Sequence, residues 1–372
     1  MFRAIGLMSG TSMDGVDLAL IDTDGRDKVI QGPASFLAYS DEDRTLLRQA
    51  LSLTRDLTRA NERPAIIAKA EQMITSRHHQ ALESFFAEFG LDRKSIELIG
   101  FHGQTILHRP ENKLTIQIGD GQALANHIGI KVIYDFRSAD VAAGGQGAPL
   151  VPVYHQALVK QALADRREFD LPIGVLNLGG VGNLTYLSST GSLLSCDTGP
   201  GNALIDDLMT ERRNLPFDKD GALAAQGKVD QQALAQLMAH DYFTKRPPKS
   251  LDRNAFNRQS VAHLSDADAA ATLTAFTAAS VAALWRFLPE PVNQIIVCGG
   301  GARNPTLLQA LRIALPGNIT LADELGWSGD AMEAQAFAYL AVRSHLGLPL
   351  SFPMTTGVPA PQTGGRLAEP LN

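Results

Sequence analysis

The chain has 372 residues, of which 33 are basic and 39 acidic, and its formal net charge is −6. This length predicts two domains, each with its own hydrophobic core, and the mildly acidic balance argues against nucleic acid or an anionic membrane as the main partner. Two cysteines suit a reducing compartment better than a disulfide framework. We find no basic and then apolar leader, and no apolar run that approaches the ~20 residues of a membrane span, so we expect a soluble, cytoplasmic protein.

The first two predicted strands, residues 2–7 and 16–21, flank a turn of small and polar residues. The backbone N–H groups and hydroxyls of this turn form a concave donor surface that suits phosphate. Asp14 and Asp17 suit Mg²⁺, which takes a few carboxylates together with water and phosphate oxygens. An ordinary glycine-rich hairpin explains the same stretch equally well.

The first part of the chain continues with two predicted helices, then a strand, a strand, a helix and a strand. This order predicts a mixed α/β domain over the first ~135 residues. The predicted elements are helices 45–60 and 64–89, strands 96–101 and 114–118, helix 123–127 and strand 131–136.

The α/β pattern starts again after residues 140–149, a segment rich in glycine and alanine that suits a hinge or a substrate loop. We expect Ser265 or Asp266 to cap a long helix, and the tail from residue 349 to be irregular. The predicted elements are helix 151–164, strands 173–178, 184–188 and 193–196, helices 203–212 and 266–287, strand 294–298, and helices 306–315 and 329–346.

Each half opens with strands around a glycine-rich turn, the second at residues 179–183, and this indicates an internal repeat. Two such turns could hold a polyphosphate from both sides, in a cleft between the halves. Neither G-x-x-x-x-G-K-[ST] nor a G-x-G-x-x-G after a strand is present, so the P-loop and dinucleotide-binding classes have no support.

Asp197 has two interpretations. It follows a predicted buried strand and precedes Pro200, a favoured first-turn residue of helices. It is either a general base at the floor of a cleft, beside the N–H groups of the next helix, or the N-cap of that helix. The spacing alone favours the cap.

Three consecutive glycines from Gly299 to Gly301 exceed what a turn needs, and they favour a flat ligand such as adenine or ribose lying on bare backbone. A turn between strand and helix that requires glycine is the alternative. Glu333, near the start of the last helix, is either a first-turn acid favoured by the helix dipole or a side chain that reaches the cleft.

Polar residues at predicted strand ends would line a cleft, and His102, Gln104 and Arg137 are of this kind. Arg137 suits a substrate carboxylate through bidentate pairing. The alternative is a structural ion pair between Arg137 and Asp135 or Asp140.

Together these stretches resemble the motif set of the anhydro-N-acetylmuramic acid kinase family, nearly end to end and in family order. A single motif of this kind is weak, whereas the complete set is specific. The matching stretches are 10–17, 102–105, 135–137, 142–149, 177–180, 197–202 and 299–304.

The resemblance implies an α/β fold of two ribonuclease H-like domains with an ATP cleft between them, the actin/hexokinase/Hsp70 ATPase fold. The domains would be residues 1–137 with 347–372, and residues 138–346. The resemblance also implies a homodimeric kinase of peptidoglycan recycling that uses ATP and Mg²⁺. This kinase would open 1,6-anhydro-N-acetylmuramic acid with water and phosphorylate O6 to give N-acetylmuramate 6-phosphate.

The resemblance further implies roles for individual residues. Asp197 would be the catalytic base, and Asp14 would bind the metal. Substrate-binding residues would be His102, Gln104, Arg137, Gly147 and Glu333. Nucleotide-binding residues would be Gly10, Thr11, Ser12, Met13, Asp14, Gly15, Val16, Asp17, Gly179, Gly180, Gly299, Gly300 and Gly301.

Two other functions remain open at this level. A kinase of the same fold could act on an intact sugar, where the base would deprotonate a hydroxyl instead of water. A non-catalytic switch driven by ATP belongs to a different class, and the polar strand ends argue against it.

Overall fold

A computed structural model describes residues 1–10, 12–165, 169–253 and 255–371. Its strands are Phe2–Ser9 (β1), Gly15–Thr23 (β2), Val29–Ala38 (β3), Leu98–Arg109 (β4), Leu114–Ile118 (β5), Val132–Tyr134 (β6), Ile173–Leu178 (β7), Val181–Leu187 (β8), Leu193–Pro200 (β9), Gln294–Cys298 (β10), Asn318–Leu321 (β11) and Arg366–Ala368 (β12). Its α-helices are Asp41–Ser52 (α1), Ala65–Phe89 (α2), Gly121–Ile128 (α3), Ser138–Ala142 (α4), Pro152–Asp165 (α5), Ala203–Arg213 (α6), Gln231–Met238 (α7), Asp266–Leu284 (α8), Pro305–Ala314 (α9), Met332–His345 (α10) and Pro353–Thr356 (α11).

The chain divides into two compact units. The first unit comprises residues 1–161 with 331–372, and the second comprises residues 162–330. The division expected from the family resemblance is different, because it put residues 138–161 and 331–346 with the second half.

The packing of α10 explains why its residues group with the first unit. A Cβ atom at Gly6 of β1 would lie 1.8 Å from the carbonyl oxygen of Ala334, and one at Gly100 of β4 would lie 2.1 Å from that of Phe337. Only glycine allows helix and strand backbones to approach so closely. The helix is therefore seated directly on the first sheet.

The first unit contains a seven-stranded sheet in the order β12-β6-β4-β1-β2-β3, and β5 pairs with β4 beside this path. Strands β1, β2 and β3 form an antiparallel meander, while β4 and β6 run parallel to β1. The main core of this unit lies between the sheet and α2, whose buried face includes Ile67, Ile74 and Phe85.

The second unit contains a five-stranded sheet in the order β11-β10-β7-β8-β9. Strands β7, β8 and β9 form the antiparallel meander, and β10 and β11 are the parallel strands added beside β7. Both units therefore contain the same strand path, that of a ribonuclease H-like domain. This confirms the predicted α/β class and the predicted internal repeat.

Several predicted elements are wrong or incomplete. Strand β3 was missed, because Gly32 and Pro33 interrupt its pattern, and proline is tolerated there only because β3 is an edge strand. Helix α1 begins earlier than expected, at a capping box formed by Ser40 and Asp43. The tail is not irregular throughout, because α11 and β12 lie within it.

The predicted cap of the long helix α8 is confirmed, since the Ser265 hydroxyl accepts a hydrogen bond from the Asp268 N–H. The prediction about apolar runs was wrong here. Within the 22-residue helical stretch Asp266–Phe287, the most apolar window of 18 residues has a mean hydropathy of 1.4, so the stretch is long and apolar enough to cross a membrane by length and composition. Within the protein, 67% of its most apolar window is buried, as in the core helix of a folded domain.

Candidate active site

The tip of the β1–β2 hairpin is anchored from beneath by Gln104. The Ser9 hydroxyl donates to Gln104 Oε1 over 2.5 Å and accepts from the Tyr39 hydroxyl at 2.8 Å. Gln104 Nε2 donates to the Gly10 carbonyl over 3.0 Å. All three side chains in this chain of hydrogen bonds are buried, so Gln104 fixes the hairpin tip and its amide is already committed to protein partners.

Ser12, Met13 and Asp14 form the outer part of this tip. The Met13 N–H donates to the Gly10 carbonyl, which closes the turn, and Met13 has a φ of 56°. The Ser12 hydroxyl donates to Asp14 Oδ1 over 2.7 Å, and both residues are exposed. Thr11, a predicted phosphate contact, lies outside the described residues.

The inner part of the predicted nucleotide motif is less accessible. Gly15 is buried, and a Cβ there would lie 2.3 Å from the Leu37 carbonyl oxygen. The Val16 side chain belongs to the hydrophobic core, and Asp17 is half-buried in β2. Ligand contacts from this motif would therefore come mainly from its outer residues.

Arg137 is held in place by two hydrogen bonds within the first unit. Its Nε donates to His102 Nε2 over 3.0 Å, and its Nη1 donates to the Gly147 carbonyl over 2.8 Å. Its Nη2 has no hydrogen-bond partner among the residues that the structure describes. Burial lowers the pKa of Arg137 to about 10, so the group is still a cation at neutral pH.

His102 accepts the hydrogen bond from Arg137, so its Nε2 is not available to a ligand. Its Nδ1 lies 2.8 Å from the Gly103 carbonyl oxygen, an arrangement that assigns the proton to Nδ1 and leaves Nε2 as the acceptor. Burial and the neighbouring Arg137 charge lower the pKa of His102 well below its usual value. The imidazole is therefore neutral.

His102 and Gln104 were expected at the end of a strand, and this is wrong. Strand β4 continues to Arg109, because it leaves its parallel neighbour β1 at Gln104 and continues in antiparallel pairing with β5. His102 and Gln104 lie where β4 changes its pairing partner from β1 to β5. They are therefore level with the tip of the β1–β2 hairpin, although β4 does not end there.

The suggested ion pairs of Arg137 with Asp135 or Asp140 are absent among the described contacts. Asp140 is buried, and its carboxylate accepts from the Gly147 N–H at 2.6 Å, from the Thr356 hydroxyl at 2.6 Å and from the Ser351 hydroxyl. It therefore ties the glycine-rich loop, whose Gly147 carbonyl holds Arg137, to the tail.

Glu333 lies in the first turn of α10, as predicted. The Glu333 side chain is exposed and makes no hydrogen bond or ion pair among the described residues. Desolvation of the carboxylate by the surrounding protein atoms nevertheless raises its pKa. The charge of Arg137 counteracts this effect, and that of Asp14 adds to it. Arg137, Asp14 and Glu333 are thus close enough to interact electrostatically.

In the second unit, the glycine turn between β7 and β8 is fixed by the residues that begin α6. The N–H groups of Gly201 and Asn202 donate to the carbonyls of Gly180 and Gly179 at 2.9 and 2.8 Å. The N–H groups of Gly201 and Asn202 are therefore committed to the glycine turn and are not available to a ligand beside Asp197. A Cβ at either turn glycine would meet nothing closer than 3.6 Å, so space for a ligand remains above the turn.

Asp197 is not a helix cap. It lies inside β9, which continues to Pro200, and the N-cap position of α6 belongs to Asn202. Its Oδ2 accepts from the Leu251 N–H at 2.7 Å. Burial raises its pKa to about 6, while the Leu251 N–H and the Lys249 charge act in the opposite direction.

The three glycines after β10 have separable roles. Gly299 has a φ of 80°, and a Cβ there would lie 2.2 Å from Asn177 Oδ1, while one at Gly301 would lie 2.6 Å from the Leu178 Cβ. These two are required by the turn itself. A Cβ at Gly300 would meet nothing closer than 3.8 Å, so this glycine has open space above it.

Gly300 borders a cavity of about 410 Å³ within the second unit. The cavity offers an aromatic ring, carboxylates and cationic side chains. Its lining includes Ile205, Asp206, Phe217, Lys219, Asp220 and Arg303. Sequence reasoning identified the glycine but not these residues, which come from separate segments and form no motif.

Among the described residues, no group of three or more histidine, cysteine, aspartate or glutamate side chains could hold a metal ion. Both cysteines are buried, and neither forms a disulfide. The described residues offer a half-buried carboxylate of raised pKa at Asp197, a fixed arginine and two glycine turns with room for phosphate. Two ribonuclease H-like units with these features define the class of ATPase-fold kinases.

The chain is similar to several known proteins. The family model "Anhydro-N-acetylmuramic acid kinase" matches residues 2–369. Relatives with that name from Rhodopseudomonas palustris and Methylobacterium nodulans are 55% and 53% identical, covering 100% and 99% of this chain and 100% of their own. A solved structure, the (R)-2-hydroxyglutaryl-CoA dehydratase component A of Acidaminococcus fermentans, has a TM-score of 0.45 and 12% identity, covering 93% of this chain and 100% of its own.

The chain belongs to the anhydro-N-acetylmuramic acid kinase family. Its activity is that of a peptidoglycan-recycling kinase: it opens 1,6-anhydro-N-acetylmuramic acid with water and phosphorylates O6 at the expense of ATP, giving N-acetylmuramate 6-phosphate.

Proposed function

We propose that Asp197 is the general base of this reaction. The anhydro sugar has no free 6-hydroxyl, so a water molecule must attack the anomeric carbon. The bond from that carbon to O6 breaks, O6 takes the γ-phosphoryl group and ADP leaves. The proton of the water passes to Asp197, as in inverting glycoside cleavage. The observation that carries this role is a half-buried carboxylate with a pKa of about 6, which is ionised at neutral pH and yet a better base than an exposed aspartate.

We propose that Arg137 binds the lactyl carboxylate of the sugar. Its Nε and Nη1 are committed to His102 and Gly147, so the guanidinium cannot rotate away, and its Nη2 edge is left for a substrate anion. Gln104 and His102 support this side of the site from behind, and Glu333 is free to accept a sugar hydroxyl.

The two glycine turns would bind the phosphates of ATP. At Gly10, Gly179 and Gly180 an added Cβ would meet nothing closer than 3.6 Å, so phosphate oxygens can approach the backbone there. The cavity beside Gly300 would take the adenosine, with Phe217 against the base and Asp206 or Asp220 accepting from hydroxyl or amino groups. These contacts differ from those of a P-loop, in agreement with the sequence.

Mg²⁺ would be held at Asp14. The carboxylate is exposed and sits beside the phosphate-binding turn, and Mg²⁺ needs only one or two carboxylates when phosphates and waters complete its shell. The absence of a larger acidic cluster among the described residues fits such a site. The ion would neutralise charge on the phosphates during transfer.

We also propose a cytoplasmic homodimer. Two buried cysteines that form no disulfide suit a reducing compartment that also supplies ATP. The dimer is an expectation from the family, and light scattering during gel filtration would measure the mass directly.

The central test compares two acceptors. The enzyme would be incubated with ATP and either 1,6-anhydro-N-acetylmuramic acid or intact N-acetylmuramic acid, with ADP and sugar phosphate measured by mass spectrometry. We expect a sugar phosphate from the anhydro sugar that carries the added mass of one water. Faster phosphorylation of the intact sugar would instead support a base that deprotonates a hydroxyl. Formation of ADP without any sugar phosphate would contradict both.

A further inference from the structure

We propose that Lys249 and Tyr242 are positioning residues for Asp197, and that residues 249–251 form the cradle of the base. This inference rests on the proposed role of Asp197. Nothing in the sequence pattern singled out either residue, and only their contacts in the folded second unit bring them to the site.

The cradle fixes Asp197 through its backbone and its carboxylate at once. The Asp197 N–H donates to the Lys249 carbonyl over 2.9 Å, and the Leu251 N–H donates to Asp197 Oδ2 over 2.7 Å. Oδ1 has no hydrogen-bond partner among the described residues. One carboxylate oxygen is therefore held, and the other remains available to accept the proton of a water.

Tyr242 contacts both Asp197 and Lys249. It is buried, and its hydroxyl donates to the Asp197 carbonyl over 2.6 Å. The Lys249 ammonium donates to the Tyr242 carbonyl over 3.1 Å and lies 4.1 Å from the centre of the Tyr242 ring. Asp197, Lys249 and Tyr242 thus contact one another in a closed loop.

The charges around this loop make Lys249 the cation that favours ionised Asp197. Burial lowers the pKa of Lys249 itself. The charges of Arg286 and Lys245 also lower it, whereas Cys196 and Asp197 raise it. The Cys196 thiol is neutral, because burial raises its pKa to about 12. The Tyr242 phenol is neutral as well, since burial and the Asp197 charge raise its pKa.

The two residues should therefore act in different ways. Lys249→Met removes the cation but leaves the backbone hydrogen bond from the Asp197 N–H, so we expect the acid limb of the kcat–pH profile to move up by about one pH unit. Tyr242→Phe removes only the hydroxyl that holds the Asp197 backbone. We expect kcat to fall by about tenfold, with both KM values and the acid limb unchanged.

The experiment measures kcat and KM from pH 5 to 9 for wild type, Lys249→Met, Lys249→Arg, Tyr242→Phe and Asp197→Asn. Lys245→Met is the matched control, since it removes a neighbouring exposed lysine that does not contact Asp197, and it should behave like wild type. Lys249→Arg retains the charge and should restore the acid limb, which also covers the case in which the methionine variant folds poorly.

The outcomes separate the two proposals. Near-normal turnover in Asp197→Asn would overturn the base itself. An inactive Asp197→Asn variant together with an unshifted acid limb in Lys249→Met and normal kcat in Tyr242→Phe would leave the base intact and overturn the cradle. A change in thermal stability without any kinetic change would mean that both residues are merely structural.

Discussion

Arg137 donates a hydrogen bond from Nε to Nε2 of His102 over 3.0 Å, so a cation is oriented by a neutral imidazole. The histidine can accept this bond only while it is unprotonated, and its lowered pKa ensures that state. The consequence is a guanidinium that is fixed before any substrate arrives. Preorganised donors of this kind lose less freedom on binding than mobile ones.

Arg137→Ala should weaken binding of the sugar and leave that of ATP unchanged. If the guanidinium pairs with the lactyl carboxylate, its loss costs ~2–5 kcal/mol, which appears as a higher sugar KM. Arg137→Lys is a matched variant, because it keeps the charge but cannot make the hydrogen bonds to His102 and Gly147 together. Steady-state kinetics with each substrate varied in turn measures both. An unaltered sugar KM in the alanine variant would show that Arg137 is structural.

Thr356→Val should weaken the same site from a distance. The hydroxyl donates to the buried Asp140 carboxylate, which in turn holds the Gly147 N–H of the loop behind Arg137. Valine has nearly the same shape, so the variant removes one hydrogen bond to a charged group, worth ~1.5–3 kcal/mol of stability. We expect a lower melting temperature and a raised sugar KM. A lower melting temperature with unchanged kinetics would mean that the tail supports the fold but not Arg137.

The sequence predicted those parts of the fold that rest on local pattern. The strand Gln294–Cys298 and the long helix α2 followed from continuous apolar runs or helical spacing and are confirmed. The helix-cap interpretation of Asp197, which the spacing favoured, is wrong because a proline three residues later resembled a helix start, whereas β9 continues through it. Local spacing does not reveal where a strand ends when a distant segment, here Lys249 to Leu251, extends its hydrogen bonding.

The candidate site could likewise be predicted from the sequence only in part. Gly300 and Arg137 stood out by residue type, whereas the residues that surround them in the folded chain come from remote positions in the sequence. His102 looked like a ligand-facing residue, and only the folded chain shows that it supports the arginine. Tyr242 and Lys249 carry no motif signal, because an ordinary tyrosine and lysine gain a role only through contact.

The first unit should lose stability as the pH falls below 7. Burial lowers the pKa of His78 to about 4 and that of His155 to about 3, and the pKa of His102 is lowered as well. The unfolded chain, with histidine pKa values near 6.5, then binds more protons than the folded one, so stability declines from about pH 6.5 downward. Thermal unfolding at pH 7 and pH 5 should show a clear fall in melting temperature.

His78→Asn tests this assignment. An asparagine amide can replace the Nδ1 donor that faces the Ile74 carbonyl at 2.7 Å, but it does not titrate. The variant should be less stable at pH 7, because it leaves a cavity, and its melting temperature should fall less between pH 7 and pH 5. An equal fall in variant and wild type would rule out His78 as a source of the acid sensitivity.

Asp197→Asn should lower the activity and raise the stability of the protein. Turnover should fall by ~10²–10⁴, the usual contribution of a general base, while ATP still binds. The pKa of Asp197 is raised from 3.8 to about 6, so its contribution to stability is favourable at low pH and is lost as the pH rises through about 6. At pH 8 the ionised carboxylate therefore costs stability, by roughly 3 kcal/mol.

Asparagine keeps an acceptor for the Leu251 N–H without that cost, so the variant should melt higher than wild type at pH 8. The difference should shrink toward pH 5. Calorimetry at both pH values, beside kinetics at pH 8, measures the two effects on one sample. Equal melting temperatures at pH 8 would mean that the carboxylate is better solvated than its burial indicates, and the raised pKa would have to be given up.

The route of the water can be followed with an isotope. In ¹⁸O-water, attack at the anomeric carbon places the label on C1 of the product and leaves the phosphate unlabelled. Mass spectrometry of the sugar phosphate, with fragmentation to separate the phosphate from the sugar ring, locates the label. Unlabelled product incubated in ¹⁸O-water for the same time corrects for exchange at the anomeric hydroxyl. Label in the phosphate would mean that water attacks phosphorus, in which case Asp197 could not serve as the base for glycosidic opening and the proposed mechanism would fail.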